Sequence, residues 1–93
     1  MKKLRVFWKD GHADAEQPLR SWYEEAKKAV WQGPADIKAR YQHASLLAKN
    51  RVVFNISGNK YRLVVWIRYD KQIVFIRFVG THAQYDRIDA KEI

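Results

Sequence analysis

The chain has no cysteine, which excludes a disulfide framework, a thiolate metal site and a thiol nucleophile. That absence fits a reducing compartment. Its three histidines, His12, His43 and His82, are scattered without metal-ligand spacing, so no metal is expected. No Walker loop, Rossmann glycine pattern, HExxH or GxSxG occurs, and no cofactor is expected. The N-terminus "MKKLRVFWKDGHAD" has no apolar run long enough for a signal peptide, and no other stretch is long enough to span a membrane. The expectation is a soluble cytoplasmic protein. Repeats and low-complexity segments are missing too. Ninety-three residues leave room for one domain, 1–93, and a hydrophobic content of 47% is enough for its core.

Acidic residues are also in short supply. Eighteen Lys and Arg face ten Asp and Glu, giving a formal charge of +8. Ten basic and six acidic side chains lie in residues 1–50, eight and four in residues 51–93, so the excess is spread along the chain. A folded basic domain of this size suits nucleic acid, where neutralised phosphates release counterions. Solubility charge or an acidic protein partner would read the same way.

Two segments carry helical periodicity. In "AEQPLRSWYEEAKKAVWQGP", Leu19, Trp22, Tyr23, Ala26 and Val30 recur on one face. Pro18 suits the first turn and Gly33-Pro34 stops the run. "PADIKARYQHA" predicts a second, shorter helix with Ile37 and Tyr41 on one side, followed by a connector, "SLLAKN". The opening "KLRVFWK" fits a strand through Leu4, Val6 and Trp8, or a helix through Leu4, Phe7 and Trp8.

From Arg51 the period changes to two. "RVVFNIS", "KYRLVVWIRY" and "IVFIRFV" predict three strands of an antiparallel meander, separated by "GN" and "DKQ". A Gly-Asn turn, with Gly58 supplying a positive φ, sets Ile56 opposite Tyr61, Asn55 opposite Arg62 and Phe54 opposite Leu63. One face then carries Val52, Phe54, Ile56, Tyr61, Leu63, Val65, Ile67 and Tyr69, joined by Val74, Ile76 and Phe78 if the second turn is tight. The helices must cover it, so the fold class is α+β. The other face carries Arg51, Asn55, Arg62, Trp66, Arg68, Phe75 and Arg77 among Val53, Val64 and Val79. Arginines interleaved with aromatics suit phosphate gripping and base stacking. They equally suit a solvated face with cation–π pairs such as Trp66 with Arg77.

The stretch "RFVGTHAQYD" places His82, Tyr85 and Asp86 just past the last strand. With Arg62 and Arg77, and with Asn55 and Lys60 across the hairpin, they suit cleavage of a phosphodiester by its neighbouring 2′-OH. That reaction needs proton transfer, from histidine or tyrosine, and a cation for the phosphorane. The plainer reading makes His82 and Tyr85 a strand cap and pairs Asp86 locally with Arg87 or another base.

"NRVVFNISGNKYRLVVWIRYDKQIVFIRFVGTHAQYDRID" closely resembles the HigB toxins of bacterial toxin–antitoxin systems, within the RelE-like superfamily. The "FNI-GN-YRLV" hairpin and "FVGTH--YD" carry the likeness, and the helical half is similar as well. The resemblance implies a ribosome-dependent endoribonuclease (mRNA interferase) that cuts messenger RNA during translation. It also implies neutralisation by a helix-turn-helix antitoxin, HigA, with a hetero-tetramer as one arrangement. Arg62 matches the catalytic arginine of the "YRLV" strand. His82 stands where RelE has an arginine, implying different proton-transfer chemistry. Tyr85 lies near RelE's terminal tyrosine and completes the catalytic set. The lysines of RelE's first hairpin strand align with Val53 and Asn55, so the resemblance implies that this role is either missing or moved to Lys49 or Lys60. RNA-binding positions are then Arg51, Asn55, Lys60, Trp66, Arg68 and Arg77. HigB-like chains usually begin with a short strand before a helix resembling "LRVFW". The resemblance therefore favours helix for residues 2–9, with that strand absent and a sheet edge left for the antitoxin or a second copy. The competing readings are a non-catalytic RNA- or ribosome-binding module that blocks translation by occupancy, and a DNA-binding accessory subunit.

Overall fold

A computed structural model describes residues 1–93. The elements run α1 (Lys2–Lys9), α2 (Glu16–Lys28), α3 (Pro34–Arg40), β1 (Ser45–Leu46), β2 (Arg51–Ile56), β3 (Tyr61–Arg68), β4 (Ile73–Thr81) and α4 (His82–Tyr85). The fold is α+β, with an antiparallel sheet in the order β1-β2-β3-β4. No helix is long and apolar enough to cross a membrane.

Residues 2–9 take the helical alternative. Leu4, Phe7 and Trp8 are buried, whereas Val6, which a strand would have turned inward, is 60% exposed. Helix α2 ends at Lys28, short of Gly33-Pro34, because Ala29 is extended (φ −74°, ψ 149°). Nine residues are about two and a half helical turns, so a continued helix would put Trp31 opposite Trp22. The break instead brings Trp31 down onto Phe54, with ring centroids 6.3 Å apart, and the Trp31 carbonyl accepts from Gln72 Nε2 at 2.7 Å. Val30, expected on the buried seam, is left 69% exposed.

The sheet has four strands where the sequence predicts three. The connector supplies the fourth: Ser45 pairs with Val53 and Leu46 with Val52. Both β1 residues are exposed, so the strand is held by its backbone and leaves no alternation to read. The β2–β3 register is the predicted one, from Ile56↔Tyr61 to Arg51↔Trp66. Its turn centres on Gly58-Asn59, closed by Lys60 N–H to the Ser57 carbonyl at 3.3 Å, and Gly58 has φ +67°.

The β3–β4 pairing departs from expectation. Val65 pairs with Ile76 but Val64 with Phe78, so Arg77 is an extra residue in a bulge. The bulge inverts the alternation beyond it. Phe78, expected on the helix-covered face, packs against the outer cluster, and Val79 takes its place against the main core.

The helices bury Leu4, Trp8, Leu19, Trp22 and Ile37, and the link after α2 buries Trp31, against the inner residues of the sheet. Phe54 is the hub, with the rings of Trp22, Trp31 and Tyr41 packed around it at 5.4, 6.3 and 5.0 Å. Removing a fully buried phenyl deletes its transfer free energy and opens a cavity. Phe54→Ala is therefore expected to destabilise the fold by about 3–5 kcal/mol, read from equilibrium urea unfolding. A loss below about 1 kcal/mol would show that the aromatic cluster does not anchor the sheet.

Candidate functional site

Helix α4 and the residues after it fold back over the middle of the outer face. Val53, Val64 and Ala90 are buried there, with Leu47, Phe78, Tyr85, Ile88 and Ile93 packed around them. Polar contacts tie the segment down: Lys49 Nζ reaches both oxygens of Glu92 at 2.7 Å, and Arg51 Nη2 donates to the Ile93 main-chain oxygen at 2.6 Å. The outer face is thereby divided. Arg62 stands at one end and Trp66 at the other, four residues or about 13 Å along the strand.

At the first end, Arg62 pairs with Gly80 on β4 and with Asn55 on β2. Its Nη1 donates to the carbonyls of Asn59, at 3.0 Å, and Tyr61, at 3.3 Å, while the side chain stays half-exposed. His82 follows at once, because Tyr61 pairs with Thr81 and the His82 N–H donates to the Lys60 carbonyl at 3.3 Å. Thr81 caps α4 in a reciprocal box: Gln84 N–H donates to Thr81 Oγ1 at 3.2 Å, and Thr81 N–H to Gln84 Oε1 at 2.9 Å. Any residue larger than glycine at position 80 requires neighbouring side chains to move. A Cβ there would lie 2.5 Å from Phe78 Cζ and 2.7 Å from the capping oxygen of Gln84.

One helical turn on, Asp86 Oδ2 lies 3.2 Å from His82 Nδ1, with both side chains exposed. A carboxylate beside Nδ1 suits a histidine that exchanges protons through Nε2. The pair is readable as an i,i+4 spacing in "HAQYD", and "TxxQ" marks the cap. Tyr85, grouped with His82 in the sequence, instead turns its ring toward the Val53–Val64 cluster.

The other candidate residues divide similarly. Asn55 and Arg77 are exposed. Trp66 stacks on Phe75 with centroids 5.0 Å apart, and Phe75 is 37% exposed. The cation over Trp66 is Arg51, at 5.4 Å, rather than Arg77. Arg51 is otherwise occupied by the carbonyl of Lys49 and by the Ile93 oxygen, and Arg68 by Asp70 at 3.2 Å. Lys49 and Lys60, the two lysines considered as replacements, are both ion-paired, Lys49 with Glu92 and Lys60 with Asp14. The role of Asp14 had no sequence signal, since it sits 46 residues before its partner.

Comparison with known families then defines the class. Residues 15–88 match the family described as HigB_toxin, the RelE-like toxic component of a toxin-antitoxin system. The chain is a RelE-like toxin. It belongs to the HigB toxin family, and that membership implies an antitoxin partner. No curated protein matches it. The matched span takes in α2, the whole sheet and α4, and so includes Arg62, His82 and Asp86.

Asp14 ties the helical half to the site by accepting from Lys60 Nζ and, at 2.5 Å, from Tyr61 Oη. The hydrogen bond from Lys60, then that from Tyr61, holds its carboxyl below the ordinary 3.8. A lowered carboxylate pKa stabilises the fold above the unfolded value, and that contribution is lost as pH falls through the folded one. Lys60 is shifted up from 10.5 by the same partner, so its share is lost only as strong base is approached. Asp14→Asn should therefore melt below the parent at neutral pH, with the gap closing as pH drops below 3.8. Thermal unfolding across a pH series checks this, and a gap unchanged in strong acid would remove the ion pair as its cause.

Proposed function

We propose that the protein is a ribosome-dependent endoribonuclease of the cytoplasm that cuts messenger RNA and is neutralised by a HigA-like helix-turn-helix antitoxin. The observation that carries this reading is the β3–β4 register, which brings Arg62 and His82 to one end of the sheet, with Asp86 Oδ2 3.2 Å from the histidine's Nδ1. Cleavage by the 2′-OH needs a base for the hydroxyl, positive charge on the phosphorane and an acid for the departing 5′-oxygen. Arg62 holds the scissile phosphate and stabilises its developing charge. His82 Nε2 exchanges the proton as base or acid. Tyr85 is the second-rank candidate for the complementary transfer, because its ring is committed to the outer cluster. Asn55 and Arg77 extend the RNA path beside Arg62. The Trp66–Phe75 pair offers stacking at the far end, beside Arg68. Arg51 and Lys60 act on RNA only if their internal partners are displaced.

The occupancy reading draws support from the pairing of both candidate lysines. Mapping transcript 5′ ends after induced expression separates the two. New ends within codons are expected, whereas arrested translation with intact transcripts would replace the enzyme with a binding module.

Arg62→Ala is expected to abolish or nearly abolish growth inhibition with little change in melting temperature, since the side chain lies on the outer face. His82→Gln should keep the fold and ribosome binding, yet lower single-turnover cleavage of ribosome-bound message by about 10²–10⁴-fold, the usual worth of a positioned proton-transfer group. Cleavage within a few-fold of the parent rate would leave His82 as a helix-capping neighbour and nothing more.

A further inference from the structure

The break after α2 leaves a groove that none of the chemistry above uses. It has a volume of about 450 Å³ and lies between the C-terminal half of α2, the extended residues after it, and the inner face of β4. Tyr23, Ala26, Val30, Trp31, Val74 and Ile76 give it an apolar floor and wall. Val30 is 69% exposed and Ile73, at the start of β4, 40% exposed. Beside the groove, β4 pairs with β3 on one side and with no strand on the other. On that other side α1 packs near the middle of β4 and Lys3 Nζ donates to the Ile76 carbonyl at 3.5 Å, leaving residues 73–75 as the open stretch of edge. An unpaired edge next to an apolar trough suits an extended peptide, whose main chain extends the sheet while alternate side chains enter the trough.

Charge selects the occupant. Lys27 and Lys28 line the groove, no Asp or Glu does, and Lys3 Nζ lies 3.5 Å from the Ile76 carbonyl oxygen on β4. A second copy of this chain would bring another +8 to a rim that is already basic. RNA would suit the lysines but would leave the apolar lining unfilled. The distance from the Arg62–His82 end also matters: the groove opens on the inner, helix-covered side of the sheet, away from the outer face. We propose that this groove and the free edge of β4 bind an extended apolar segment of the antitoxin, flanked by acidic residues. This rests on the toxin–antitoxin reading and adds the docking surface. A segment bound there leaves Arg62 and His82 uncovered.

The test uses the full chain and the product of the adjacent open reading frame, purified together and apart. Hydrogen exchange should slow on complex formation at residues 73–79 and 26–31, and not at 82–86. Val30→Glu, at an exposed position, and the charge reversal Lys27→Glu with Lys28→Glu should each weaken the complex about tenfold or more. Each should melt within a few degrees of the parent and stay toxic alone, so that co-expression no longer restores growth. Parent-like affinity in both variants, or protection confined to the outer face, overturns the groove. Protection of β4 that grows with the concentration of the toxin alone would assign the surface to self-association and overturn it too. If the neighbouring product binds not even the parent chain, the partner reading fails first and the groove proposal falls with it.

Discussion

The burial of Phe54 is the constraint on which the rest of the molecule depends. Three aromatic rings from the helical half close around it, and that fixes which way β2 faces. Because a strand alternates with a period of two, Phe54 inward means Asn55 outward, and the hairpin register then places Arg62 outward beside it. Core and candidate site are thus set by one choice of phase. A slip of one residue would bury Arg62 among tryptophans and expose Phe54, a double cost that excludes the alternative.

The parts legible in the sequence were those where periodicity and burial agree. Residues 51–68 alternate cleanly, the turn residues fit their turn, and the predicted register is the observed one. The helical set Leu4, Phe7 and Trp8 was one of two patterns that "KLRVFWK" allowed, and packing against the sheet chose it. Illegible features are those held by tertiary contacts. Strand β1 has no buried side. The early end of α2 comes from the pull of Trp31 toward Phe54, stronger than the helical preference of "AKKAV". The bulge at Arg77 leaves no mark, because "FIRFV" is apolar on either phase.

For the candidate site, residue identities were more legible than their roles. The β3–β4 register puts Arg62 and His82 at the same end of the sheet. Arg51, Lys49 and Lys60 looked equivalent to them as basic residues, yet each is tied to the C-terminal segment or to Asp14, whereas Arg62 is held only by the carbonyls of its own hairpin. Net charge does not distinguish a cation offered to a ligand from one that staples two segments of its own chain. Only the positions of Glu92, Ile93 and Asp14 make that distinction, and two of those lie in the segment that covers the outer face.

That covering segment gives β3 an unusual status in a sheet of this type. Its inner side chains lie under the helices, while Val64 is shut off from the opposite side by Phe78, Ala90 and their neighbours. Over this middle stretch the sheet is sandwiched, and β3, like β2, is bonded on both edges and packed on both faces, with the longer pairing on each side. Its amides should be the last to open, with the rest of the sheet loosening around them. Arg62, the second residue of β3, is therefore mounted on the least compliant strand of the molecule. Substrate RNA would have to conform to its position, because the strand beneath it has little freedom to yield.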